Sequence, residues 1–194
     1  GVGDMRGGIE AALVELKSIA DTFDALLRIA QIEARIRTEN FTVFDLKPLV
    51  TDLYEIYEAI AVEGGYELSL SIGSGACLIN GDPDLIRQLL ANLLTNSMRH
   101  TPDGSKIALE LSRGHRTISL GVSDNGSGIP REERKRVFDR FYRLEKSRTT
   151  TGSGLGLSLV KAIAELHGAN TELLDNEPGL QVVTKFREAE NGNL

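Results

Sequence analysis

Three short stretches hold the residues whose types and spacing suit chemistry. In NLLTNSMRHT (92–101), Asn92 and Asn96 stand four apart, one turn of a helix. A buried amide left without partners costs about 1–3 kcal/mol, so something polar has to meet them. Either neighbouring backbone satisfies them inside a core, or they border a polar pocket; this helix alone leaves both readings open. In DNGSGIP (124–130), Asp124 offers an acceptor, and Gly126 and Gly128 let the backbone approach a flat group or run at positive φ. A plain Asp-Asn-Gly turn has the same pattern. In TGSGLGLSLV (151–160), Gly152, Gly154 and Gly156 alternate just ahead of a helix-like run. Backbone N–H groups at such a helix start form an anion site. A flexible linker is the alternative, and it sits poorly with so strong a helix.

Between the glycine stretches lies RVFDRFYRLEKSRTTT (136–151). Phe138 and Phe141 are three apart and suit pinning a turn to a core. Arg140, Arg143, Lys146 and Arg148, followed by Thr149 to Thr151, read as a mobile loop that suits phosphate, or as an ordinary solvated loop. No GxxxxGK[ST] loop is present, and no GxGxxG follows a strand.

The elements that must position these residues follow from periodicity. On a helical wheel Leu85, Ile86, Leu89, Leu90, Leu93 and Leu94 fill one half. Asn96 and His100 fall inside that apolar sector and Asn92 at its border. Asp82 can cap this helix, with Pro83 at its first position. FTVFDL reads as a strand leading into a helix from Asp45 to about Glu63, ended by Gly64 and Gly65. YELSLSI (66–72), KIALELS (106–112) and TISLGVS (117–123) alternate as half-buried strands, and ACLIN (76–80) is a further short strand. A helix from about Leu155 to His167 closes at Gly168, and strands follow near 171–174 and 180–186. Strands interspersed with three helices predict a two-layer α/β sandwich.

Ahead of this domain, residues 9–34 form one long amphipathic helix. Ile9, Leu13, Leu16, Ala20, Phe23, Leu27, Ala30 and Ala34 make a heptad seam, widened by Ala12, Ile19 and Leu26. No second helix of this kind is present, so its mate is expected to be missing or to come from another chain. The expected division is 1–39 for this helical region and 40–194 for the sandwich.

Bulk properties narrow the classes. The 194 residues are 41% hydrophobic and 26% charged, enough for one good core plus an appendage. A net charge of −6 does not favour nucleic acid as a partner. Cys77 is the only cysteine, which excludes an internal disulfide and a cysteine-based zinc cluster. No apolar run reaches the ~20 residues of a membrane span.

Taken in order, an asparagine helix, DxGxG after a strand, FxxF, and GxGLG opening a helix resemble the ATP-binding domain of sensor histidine kinases. Their superfamily includes gyrase B, MutL and the ninety-kilodalton heat-shock chaperones. The resemblance covers residues 41–187, and LLRIAQIEA resembles the second helix of that family's dimerisation hairpin. It implies a Bergerat-type fold: a mixed, largely antiparallel sheet of about five strands on three helices. It implies ATP and Mg²⁺ as cofactors, with Asn96 holding Mg²⁺ and Asn92 standing where ATP-hydrolysing relatives carry a glutamate base. It implies phosphate or ribose contacts from Arg99 and His100, and adenine recognition by Asp124 over Gly126, Gly128 and Ile129. Phe138, Phe141, Arg143, Lys146, Gly152, Ser153, Gly154, Leu155, Gly156 and Leu157 complete the implied ATP contacts, and residues 139–153 would be the lid. The implied reaction is transfer of the γ-phosphoryl group to a histidine, then to a response regulator receiver domain, in a homodimeric parent. The domain would be cytoplasmic, with a parent that can be anchored in the bacterial inner membrane. Of His100, His115 and His167, none lies in the family's acceptor motif, so a fragment lacking the acceptor helix is expected. An ATPase-type conformational switch and a degenerate ATP-binding scaffold are the competing readings.

Overall fold

A computed structural model describes residues 2–33, 40–144 and 153–190. Helix α1 (Val2–Glu33) leads, followed by β1 (Thr42–Asp45), α2 (Leu46–Glu63), β2 (Glu67–Ile72), β3 (Leu78–Gly81) and α3 (Pro83–His100). Then come β4 (Lys106–Arg113), β5 (Thr117–Asp124), α4 (Gly156–Leu166), β6 (Asn170–Asp175) and β7 (Leu180–Arg187). The main sheet has five strands in the order β2-β4-β5-β7-β6. Only β2 and β4 run parallel; the other pairings are antiparallel. The strand expected at 76–80 does not join this sheet. It becomes β3 and pairs with β1 as a separate antiparallel ribbon, Thr42 opposite Gly81 and Asp45 opposite Leu78.

Alternation in the strands decides which face is buried. Ile107, Leu109 and Leu111 on β4, with Ile118, Leu120 and Val122 on β5, all enter the core that α2, α3 and α4 cover. From α3 come Leu85, Ile86, Leu89, Leu90, Leu93 and Leu94, the residues that share one half of the wheel.

One local arrangement sets how α3 and α4 pair. Asp82 caps α3: its Oδ1 accepts from the Asp84 N–H at 2.9 Å and the Leu85 N–H at 3.3 Å. The Asp82 N–H in turn donates to His167 Nε2 at 3.0 Å, just past the end of α4. His167 Nδ1 lies 2.7 Å from the Ile163 carbonyl, and the ring stacks on Phe41 with centroids 4.6 Å apart. The start of α3 is thereby tied to the end of α4, so the two helices run antiparallel. At 1.5 Å per residue, α4 is about 16 Å long, and the same length along α3 from Asp82 ends near Asn92. The glycine that opens α4 is thus delivered to the asparagines of α3.

Helix α1 begins at Val2, ahead of the expected Ile9, and runs through Gly3, Gly7 and Gly8. Its seam stays open among the described residues: Ile9, Leu13, Leu16, Ile19, Phe23 and Leu27 are all exposed, Phe23 at 64%. Its last turns differ from the expectation. Ile29 and Ile32 are 1% and 3% exposed within the domain core, Leu26 packs against it rather than widening the seam, and Arg28 donates to Gln88 of α3 at 2.9 Å. Ala34 lies outside the described residues. No helix of the described residues is long and apolar enough to cross a membrane.

Removing the α3 cap should be costly, because two orphan N–H groups at a buried helix start lose their acceptor. Asp82→Ala is expected to lower the unfolding free energy by about 1–2 kcal/mol with an unchanged denaturant slope. Urea unfolding followed by circular dichroism measures it, and an unchanged midpoint would show that the cap does not anchor α3.

Candidate functional site

The antiparallel α3–α4 pair builds one end of the site. A Cβ placed on Gly156 would lie 3.0 Å from Asn96 Nδ2, 3.1 Å from Asn96 Oδ1 and 3.5 Å from Asn92 Oδ1. A Cβ there would crowd the Asn96 amide by a few tenths of an ångström and come into ordinary contact with Asn92, so this glycine serves close approach rather than an unusual φ. Both asparagines are half-buried, at the edge of the core and not inside it. Asn92 Nδ2 donates back to the Gln88 carbonyl at 2.8 Å, which leaves its oxygen turned toward Gly156. Asn96 has no side-chain hydrogen bond to a described residue. The Asn96 amide and the Asn92 amide oxygen are therefore neither sealed in apolar packing nor spent on the fold.

The other end is Asp124, the last residue of β5 and only 8% exposed. Its Oδ1 accepts from the Gly126 N–H at 2.9 Å and the Leu180 N–H at 3.4 Å, and its Oδ2 accepts from Ser97 Oγ at 3.3 Å. Burial pushes its pKa above the usual carboxylate range, against the pull of those hydrogen bonds and of His100. Ser97 follows Asn96 directly on α3, so one helix addresses both ends of the site. Thr101 closes that helix by donating to the Ser97 carbonyl at 2.7 Å, and its methyl would lie 2.7 Å from a Cβ on Gly126. Arg99 and His100 form the exposed last turn of α3. His100 titrates below its ordinary range, first through lost solvation, then through repulsion from Arg99 and Arg143, with Asp124 opposing. Arg143 thus approaches the same end of α3.

Other expected positions divide. Ile129 follows Gly128 on the loop after Asp124, and its carbonyl accepts from Arg134 Nε at 3.1 Å. Ser153, Gly154, Leu155 and Leu157 line the entry to α4, with Leu155 buried and the others half-buried. The aromatic pair does not pin the turn as expected. The helical turn there covers only Arg136–Phe138, and Asp139 is already extended, so three-residue spacing no longer keeps both rings on one side. Val137 is the buried residue, Phe138 is half-buried, and Phe141 is 57% exposed at φ 63°. Phe141 is held by its backbone, whose N–H donates to the Gly154 carbonyl at 3.0 Å and so joins the two ends of the 142–153 segment. Lys146 and Gly152, and most of the expected lid, lie outside the described residues.

Sequence reading did not single out Ser97, Asn176 or Gly179, all of which meet Asp124. Ser97 had a signal, a hydroxyl that shares the leucine half of the wheel with Asn96 and His100. The other two belong to a distant turn, which nothing local ties to Asp124.

Residues 81–190 match the family described as "Histidine kinase-, DNA gyrase B-, and HSP90-like ATPase". The probable sensor protein PcoS of Escherichia coli is 33% identical over 180 residues, covering 91% of this chain and 37% of PcoS. The sensor-like histidine kinase SenX3 of Mycobacterium tuberculosis is 32% identical over 165 residues, covering 84% of this chain and 40% of SenX3. This chain therefore spans well under half the length of these curated relatives. The solved histidine kinase AdeS of Acinetobacter baumannii shares the fold at a TM-score of 0.77 and 20% identity, over 94% of this chain and 84% of that one.

The raised pKa of Asp124 has a definite sign. Between the ordinary carboxylate range and the raised native value, the folded state binds more protons than the unfolded chain. Its contribution to stability is full at the acid end and is lost as pH rises through the folded pKa. Asp124→Asn cannot ionise, so its stability relative to the unmodified chain should improve as pH rises through that window. Unfolding free energies measured across the acid range check this, and parallel curves for the two proteins would remove the assigned shift.

Proposed function

Because the chain belongs to the histidine kinase-, DNA gyrase B- and HSP90-like ATPase family, we propose that it binds Mg-ATP between Asp124 and the α3–α4 contact. We further propose that it transfers the γ-phosphoryl group to a histidine, as the catalytic portion of a two-component sensor kinase. The observation that carries this reading is Gly156 set against Asn92 and Asn96, with Asp124 reached by the same helix through Ser97.

Each residue has a role that its chemistry allows. The Asp124 carboxylate accepts the adenine amino group. Arg99, His100 and Arg143 gather cationic and N–H donor capacity at the end of α3 for phosphate or ribose oxygens. The N–H groups opening α4 at Gly156 suit an anion. The Asn96 amide oxygen suits Mg²⁺, a hard cation that draws most of its shell from phosphate and water. Among the described residues no cluster of three His, Cys, Asp or Glu competes as a metal site. Bound Mg²⁺ supplies charge neutralisation for the phosphates. Asn92 cannot take a proton from water, so the residues here favour transfer to a nitrogen nucleophile over hydrolysis. In that transfer a histidine ring nitrogen bonds to the γ-phosphorus as the bond to the β-phosphate oxygen breaks, and ADP leaves.

None of the chain's own histidines suits the acceptor role. His167 has both ring nitrogens engaged, by the Asp82 N–H and the Ile163 carbonyl. His115 lies in the exposed turn between β4 and β5, and His100 ends α3 within the site. The acceptor is proposed on a dimerisation helix of the parent or its dimer mate, facing the open seam of α1. A response regulator receiver would take the group next, in the cytoplasm.

Two experiments test this reading. Asn96→Ala should weaken Mg²⁺-dependent ATP binding, and phosphoryl transfer to an added histidine-bearing helix, by roughly tenfold or more while changing the melting temperature little. Normal binding with a lowered melting point would make Asn96 a structural residue. ATP should also bind more tightly than GTP, because the guanine carbonyl would set two acceptors face to face at Asp124. The gap should be roughly tenfold to a hundredfold and should narrow in Asp124→Asn. Titration of both nucleotides into both proteins decides, and equal affinities in the unmodified chain would assign Asp124 to the turn alone.

A further inference from the structure

The turn between β6 and β7, residues 176–179, lies far in sequence from Asp124 yet against its main chain. Asn176 Nδ2 donates to the Asp124 carbonyl at 2.8 Å. Gly179, at φ 120°, is so close that a Cβ there would lie 1.8 Å from the same oxygen and 2.8 Å from Asn125 Cα. The Gly179 carbonyl in turn would lie 2.8 Å from a Cβ on Gly128. The next residue, Leu180, donates its N–H to Asp124 Oδ1 at 3.4 Å. A second strap joins the same two segments. Arg134 donates Nε to the Ile129 carbonyl at 3.1 Å and Nη1 to the Leu173 carbonyl at 3.3 Å, and it pairs with Asp175. The loop 124–129 is therefore held at both ends by one hairpin that contributes no side chain to the site described above.

We propose that Asn176 and Gly179 are positioning residues for Asp124, fixing its backbone so that the carboxylate keeps the one direction that selects an adenine over a guanine base. The physical reason is that Asp124 ends its strand. Its side-chain direction depends on the backbone just where the β5–β7 ladder stops at Ser123, and on that side the turn replaces the ladder as the constraint. The Asn176 amide clamps the carbonyl, and the missing Cβ of Gly179 lets the turn press close enough to do so. This inference rests on the adenine reading of Asp124.

The test compares Asn176→Ala and Gly179→Ala with the unmodified chain, using ATP, GTP and inorganic tripolyphosphate as displacing ligands, with thermal melting as the control on folding. Gly179→Ala carries a backbone clash and can disturb the whole turn, so Asn176→Ala, an exposed side chain, carries the decision. The expected result is a roughly three- to tenfold loss of ATP affinity, with GTP and tripolyphosphate binding unchanged. The ATP preference would then narrow in a protein that melts normally. Equal fractional losses of all three ligands would make the turn merely structural, and an unchanged ATP affinity would also overturn the proposal. An adenine preference that survives intact in Asn176→Ala removes this inference alone. No preference in the unmodified chain removes the adenine reading and the inference with it.

Discussion

A carboxylate at 8% exposure has to be given hydrogen bonds or be protonated, and Asp124 is given them from every direction the fold offers. Helix α3 sends Ser97, the following loop sends the Gly126 N–H, and β7 sends the Leu180 N–H. Satisfying this one group ties the helix layer to the sheet at the point where β5 ends. The same constraint leaves the group's pKa raised, because three moderate hydrogen bonds only partly offset its burial. Part of the carboxylate's capacity stays available for an incoming donor. That is a poor arrangement for stability alone and a suitable one for recognition.

The polar residues of α3 follow from its two obligations. Its apolar half fills the core between sheet and helices, and its edge meets α4 at Gly156, where a Cβ would crowd the Asn96 amide. The His167 link and the Asp82 cap determine that α4 arrives antiparallel, so its N-terminal N–H groups come to the asparagines and not to the far end of α3. Positive charge from Arg99, and from Arg143 nearby, gathers at the end of the same helix, where it adds to the lost solvation that chiefly lowers the His100 pKa. Amide oxygens, free N–H groups and cations are thus concentrated within a few turns of one helix.

Helix α1 shows two surfaces with different fates. Ile29 and Ile32 lie on a stripe that the domain core absorbs, while the heptad seam from Ile9 to Leu27 faces solvent. A helix of this amphipathic kind gains most of its stability from packing, and among the described residues only its last turns pack against the core.

Periodicity alone determined most of the elements. Alternation located the strands, a half-wheel of leucines located α3, and Asp82, Pro83 and the glycines marked its start and the ends of α2 and α4, because these signals act within one turn or one strand. The order of the asparagine helix, DxGxG and GxGLG also made the family legible, and with it Asn92, Asn96, Asp124 and Gly156 as the positions proposed for the site. Tertiary structure decided what local spacing cannot encode. Pairing sent β3 to β1 and not to the main sheet, since hydrogen-bonding partners of a four-residue strand are chosen by where the chain returns. Backbone extension at Asp139 turned Phe141 outward despite its helical spacing from Phe138. The choice of α1 face buried against the domain depended on where the chain later places α4, which no heptad count contains. The contacts of Asn176 and Gly179 with Asp124 cross more than fifty residues of sequence and exist only because β7 pairs with β5, which brings that turn to the strand's end.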